Sequence, residues 1–168
     1  MVTTLGVYNI RSLITKWDAN PTKWFDFFIG IVMWCLAITI IYKIRVMKVI
    51  IAGGRGFKDY DLLCEKVDKI LSQQDEIVIV SGTAKGADKL GERYAAEHGY
   101  PVKTFIPDWG GLGKKAGFIR NEDMALYADA LILFWDEVSK GSRHMFHVAE
   151  EHGLLTRIIK YNELENEN

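Results

Sequence analysis

Four short stretches of this chain carry residue types able to hold an anion. The first, "GGRGF" at 53–57, sets glycines around Arg55. Glycines let the backbone approach a phosphate or a ring, and the guanidinium supplies a planar charged fork. The second, "SGTAKGAD" at 81–88, offers hydroxyls at Ser81 and Thr83, backbone freedom at Gly82 and Gly86, and a helix opening near Gly86. The unpaired N–H groups of a helix start favour negative charge. In "IRNE", Arg120 and Asn121 lie near another helix start, where they can meet phosphate and base or ribose edges. "KGSRH", 140–144, repeats the glycine, hydroxyl and basic theme. Each is also ordinary turn chemistry taken alone. "GGRGF" has Asp59 where the third glycine of G-x-G-x-x-G would stand, "SGTAKGAD" lacks P-loop spacing, and Asp88 suits a first-turn cap.

Position makes the four worth grouping. From residue 47, apolar runs alternate with helical patterns: "KVIIAG", "EIVIVSG", "PVKTFIP", "DALILFWD" and "LLTRIIKY" read as strands. Between them, "DYDLLCEKVDKILSQ" sets Leu62, Leu63, Val67, Ile70 and Leu71 on one helical face, and "AKGADKLGERYAAEHG", "GFIRNEDMALYA" and "GSRHMFHVAEEHG" supply further helices. Strands apolar throughout and alternating with helices predict a three-layer, Rossmann-like α/β domain over 47–161, with a mainly parallel sheet of about five strands. Such sheets bind ligands beyond the carboxyl ends of their strands, and all four stretches fall on strand-to-helix connections. The glycine-rich "PDWGGLGKKAG" is either a mobile lid over that rim or a surface connection with Trp109 packed on the domain.

Ahead of this domain lies "WFDFFIGIVMWCLAITIIY", Trp24 to Tyr42, with Asp26 its one charge. A helix needs about 20 residues to cross a hydrocarbon layer of roughly 30 Å. The run, its tryptophans and its basic flanks predict one transmembrane helix over 23–44. The domain behind it would then be cytoplasmic, which leaves 1–22 as an extracytoplasmic or interfacial segment ending at the Asn20-Pro21 break; 162–168 reads as a flexible tail. A cleaved leader is disfavoured, since no small-residue cut site follows the run. A pore would require several copies, so a homo-oligomer is expected. The chain of 168 residues has a formal net charge of −1, which gives no global pull toward nucleic acid. Two cysteines, Cys35 and Cys64, make no disulfide framework, and the four histidines with them make no metal-ligand set. No metal and no cofactor are expected.

Together "IAGGRGF", "VSGTAKGAD", "IRNEDMALYADALILFWD" and "KGSRHM" resemble the SLOG superfamily, in its YspA-like, cpYpsA-related branch, with kinship to DprA and the Lonely Guy proteins. The resemblance covers about 47–161. It implies a Rossmann-like sheet and a pocket for a nucleotide or nucleotide-derived molecule, lined by Gly53, Gly54, Arg55, Ser81, Gly82, Thr83, Gly86, Asp88, Arg120, Asn121, Gly141, Ser142 and Arg143. Phosphate would sit on the N–H groups after Gly82, with Arg55, Arg120 or Arg143 completing its charge and Phe57 or Trp109 against the base. Fusion to a membrane helix resembles sensors or effectors of bacterial and phage conflict systems. Hydrolytic relatives carry P-G-G-x-G-T-x-x-E, whose glutamate falls here among Met145, Phe146 and His147. Cleaving a glycosidic bond needs a carboxylate, and Asp88, Glu122 or Asp136 would have to replace it. Nucleotide binding is therefore the expected function. The alternatives are a nucleoside-phosphate N-glycosidase and an adaptor that sequesters a nucleotide without turnover.

Overall fold

A computed structural model describes residues 21–43 and 46–161. The chain divides into two units, Met1–Lys43 and Ile44–Asn168. The expectations for residues 1–20 and for the tail after 161 lie outside the described residues.

In the first unit one helix, α1, spans Pro21–Lys43. Proline suits a first helical position, where its missing N–H loses no hydrogen bond. The helix has no amphipathic face, and all its described side chains, 25–38, are exposed, including Phe25 and Trp34. Among the described residues, however, no helix is long and apolar enough to cross a membrane. The fold thus places a helix where the greasy run predicts one, without establishing a span over 23–44.

The second unit is the α/β domain. Its elements are β1 (Met47–Gly53), α2 (Tyr60–Leu71), β2 (Ile77–Ser81), α3 (Ala87–His98), β3 (Val102–Thr104), α4 (Trp109–Leu112), a 3-10 turn at Gly113–Lys115, α5 (Ala116–Tyr127), β4 (Ala130–Trp135), α6 (Lys140–Glu151) and β5 (Leu155–Lys160). All five strands are parallel, in the order β3-β2-β1-β4-β5.

Alternation along β1 builds both halves of the core. Val49 and Ile51 face α2 and α3, meeting Leu63, Val67, Tyr94 and Ala95. Ile50 and Ala52 face α5 and α6, meeting Met124, Ala125, Met145 and Val148. Each fully buried Ile or Leu side chain contributes about 1.5–3 kcal/mol, so the central strands must be apolar on both faces. The edges follow the opposite logic: β3 is exposed throughout and β5 is mostly so. Asp59, which breaks the dinucleotide glycine pattern, caps α2 instead, its carboxylate accepting from Leu62 N at 2.8 Å. Because strand order reverses between β1 and β4, their connections leave in opposite directions and open a crevice at the carboxyl ends.

Candidate functional site

The turn after β1 is held by its aromatic anchor. Gly54 N donates to Phe134 O (3.0 Å) and Phe57 N to Gly54 O (3.3 Å). Phe57 is 1% exposed and stacks on Phe134, with the tilted ring of Tyr161 4.8 Å away. It belongs to the core and has no face for a base, which corrects one of the two stacking partners expected. Burial of Phe57 leaves Arg55 and Gly56 exposed at the tip of the turn.

Behind β2 the fully buried Ser81 shapes the next turn: its hydroxyl donates to Glu92 Oε1 (2.7 Å) and accepts from Thr83 N (3.0 Å). Thr83 lies at φ 60°, a conformation disfavoured for a β-branched residue. The N-cap of α3 is Gly86, at φ 81°; a Cβ there would run into Gly54 O and the backbone of Arg55. Glycine therefore lets the two turns interlock. At Gly82 a Cβ would meet the guanidinium of Arg120, which donates through Nη1 to Gly82 O.

That contact brings α5 to the rim. Arg120 Nη1 also lies 3.7 Å from Asp88 Oδ2, an ion pair with little solvent exposure. Asp88, 4% exposed, accepts weakly from Ala84 N at 3.4 Å. Burial pushes its carboxyl up to about 6, against the opposing pull of Arg120 and of the Ala84 and Gly82 amides. Burial also lowers the pKa of Arg120; Asp88 counters this, and neighbouring Arg55 adds to it. Two guanidinium groups are thus within electrostatic reach of each other, and the carboxyl of Asp88 pairs with one of them.

The far wall is polar but uncharged apart from one carboxylate. Asn121 accepts from Arg120 Nε (3.1 Å) and donates to Gly141 O (3.4 Å), with His144 Nδ1 3.3 Å away. Burial lowers the pKa of His144. Asp136, directly beyond β4, accepts from Ser139 N (2.8 Å) and Val138 N (3.1 Å). Partial burial raises its pKa, but hydrogen bonds from Ser139 and Val138 outweigh this and hold it below the ordinary value. Ser139 Oγ donates to Ser142 Oγ at 2.7 Å.

These groups enclose a cavity of about 310 Å³, lined by Gly53, Arg55, Asp88, Arg120, Asn121, Gly141 and Ser142 among the expected residues. A second hollow of about 330 Å³ adjoins it, lined by Arg55, Gly82, Thr83, Ala84, Lys85, Ile106, Pro107, Trp109 and Arg120. Gly54, Ser81 and Gly86 line neither and shape the turns instead. Arg143 is exposed and lines neither hollow, so it is not brought to the anion site. Glu122 also lies outside both and pairs with His152 at 3.3 Å, which removes it from the carboxylates facing the cavity. Trp109 is pinned in a short helix and half exposed.

Residues not anticipated as lining are Ala52, Gly56, Ala84, Met124, Ser139 and Met145 in the first hollow and Lys85, Ile106 and Pro107 in the second; Met145 is one of the three positions among which the hydrolytic glutamate is expected to fall. A capping preference could have flagged Ser139, directly before α6. Met124 gives no such signal, because its helical spacing suits the core equally well.

Comparison with known proteins bears on the first half of this site. The YspA, cpYpsA-related SLOG family matches residues 47–110, which include the turns after β1 and β2. The Gene 61 protein of Mycobacterium phage D29 is 32% identical over 114 residues, covering 64% of this chain and 91% of that protein. With the parallel sheet and its two interlocked glycine turns, these matches establish that the chain belongs to the YspA, cpYpsA-related SLOG family.

Proposed function

We propose that the protein binds a nucleotide or nucleotide-derived anion at the β1/β4 crevice. One observation carries this. Among the described residues, the buried polar side chains are Ser81, Asp88, Asn121 and Ser142, and all four belong to this rim. Desolvating polar groups costs free energy that a purely structural turn does not need to spend. Arg55 and Arg120 supply the positive charge, and Gly82 lines the adjoining hollow. Thermal denaturation of the full chain in detergent, with a panel of mono-, di- and cyclic nucleotides, tests the proposal. A ligand at 100 times its Kd stabilises by about 2.7 kcal/mol, so a flat response across the panel would overturn it.

A second function, N-glycosidic hydrolysis, draws support from the carboxyls. Asp88 is pushed up and Asp136 held down beside one cavity, the divergence expected of an acid and its ionised partner. Chromatographic detection of free base, abolished by Asp136→Asn, would favour this over sequestration without turnover.

The membrane part of the proposal is attachment through 23–44 with the α/β domain on the cytoplasmic side. Copies would assemble so that ligand binding is signalled to the bilayer, as in a bacterial or phage conflict system. An apolar helix whose described side chains are exposed all round supports attachment. Release of the full chain from membranes by alkaline carbonate would overturn it.

A further inference from the structure

We infer that the ligand is two-headed: an anionic bridge of two phosphates on the Arg55–Arg120 divide, with one ring-bearing group in each hollow. The inference rests on the nucleotide-binding proposal above and adds what lies beyond the phosphate.

The two hollows are not independent. They share Arg55, Ala84 and Arg120, so both arginines border both spaces. Lys85 adds a third cation on the side of the second hollow. Against these stands Asp88, whose burial already resists ionisation. Three cations and one reluctant carboxylate suit about two negative charges, which a bridging diphosphate supplies and a single bridging phosphodiester does not. Beyond the cations the second hollow changes character. Ile106, Pro107 and Trp109 form its far wall, with Ile106 and Trp109 largely exposed.

Trp109 is built as a platform. Asp108 caps its turn, accepting from Gly111 N at 2.9 Å. One corner of the indole lies against α5 at Gly117, where even a Cβ would approach Trp109 Cη2 to 3.4 Å. An indole with one corner against α5 and half of its surface exposed can stack a planar ring. Size points the same way. Each hollow is at the lower limit of roughly 300–1,000 Å³ for small-molecule sites, so a mononucleotide would fill one and leave the other to water.

The test is calorimetric titration of the full chain in detergent with nucleoside 5′-monophosphates and with 5′,5′-linked dinucleoside diphosphates of the same bases. One stacked ring is worth about 1–3 kcal/mol. The two-headed probe should therefore bind about 5- to 150-fold tighter than its monophosphate. That ratio should fall toward one in Trp109→Ala and survive in Trp109→Phe. Equal affinity for both probes, or a ratio unchanged in Trp109→Ala, overturns the two-headed ligand while leaving the anion site standing. Failure of every probe to bind, with Arg120→Ala indistinguishable from the unaltered chain, sinks the nucleotide site and this inference with it.

Discussion

The two ends of the same sheet hold hollows of opposite character. At the amino end, Met47, Val49, Ile70, Leu71, Ala130, Ile132 and Leu155 enclose about 440 Å³, more than either hollow at the carboxyl end. Its polar liners, Lys69, Gln74 and Arg157, are all exposed and already hydrated. At the carboxyl end the spaces are smaller, yet Asp88, Asn121 and Ser142 are buried there and held by Arg120, Ser139 and backbone. Volume therefore fails to mark the site, and desolvated polar groups succeed. A gap left at a strand start needs only apolar packing. An assembly of buried polar groups persists only where its geometry is over-determined, here by interlocked turns.

The most damaging way to break the carboxyl end is through its backbone. Gly86→Ala places a Cβ against Gly54 O while forcing an L-residue into φ 81°. Strain and collision together should cost about 3 kcal/mol, a fall in Tm on the order of 10–15 °C. An unchanged melting curve would mean that the turns are not locked together. Next comes charge. Arg120→Ala should leave the chain folded but weaken phosphate-bearing ligands by about 10–100-fold, read by titration. It removes the donor to Gly82 O and the counterion of Asp88 in one step.

The contrast also explains what could be read in advance. The α/β class and the turns after β1, β2 and β4 were legible because central strands buried on both faces leave continuous apolar runs, and glycines punctuate their ends. Ser81, Asp88, Asn121 and Ser142 stood in the expected set, but their burial did not. Nothing local distinguishes a buried Asn121 from a solvated one; α5 must first be docked so that Asn121 reaches Gly141. Arg143 and Glu122 went astray for the same reason. In a helix a neighbour of a site residue points about 100° away, so Ser142 turns inward while Arg143 remains exposed. Phe57 was misjudged because "GGRGF" does not reveal that Tyr161, at the other end of the domain, closes over its ring.

Titration sharpens the comparison between the two carboxyls of the cavity. Asp88 has its pKa raised from 3.8 to about 6 by burial. The folded state thus binds its proton more tightly than the unfolded one, and stability falls as pH rises from about 4 through about 6. A rise of that size is worth about 3 kcal/mol at most. Asp88→Asn should therefore gain stability relative to the unaltered chain across that window, read as a Tm difference that grows with pH and levels off above about 7. Asp136 carries the opposite sign, since its pKa is lowered. Its contribution is present above the unfolded aspartate pKa and is lost as pH falls through the folded one, so Asp136→Asn should destabilise at neutral pH and converge with the unaltered chain in acid.

The smallest effect is expected at the other end of the sheet. Leu155 is 65% exposed on the edge strand, and Arg157 beside it is exposed too. Leu155→Ser removes little buried area, so stability should move within about 0.5 kcal/mol and nucleotide affinity should not move at all. Among the described residues there is no buried polar chain by which the amino-end hollow could report on Arg120: the strands between them, Val49 to Ala52 and Leu131 to Phe134, are apolar and buried. A several-fold change in affinity from Leu155→Ser would show that the larger, greasier hollow is energetically coupled to the ligand. Desolvated polar groups would then no longer suffice to tell the two ends apart.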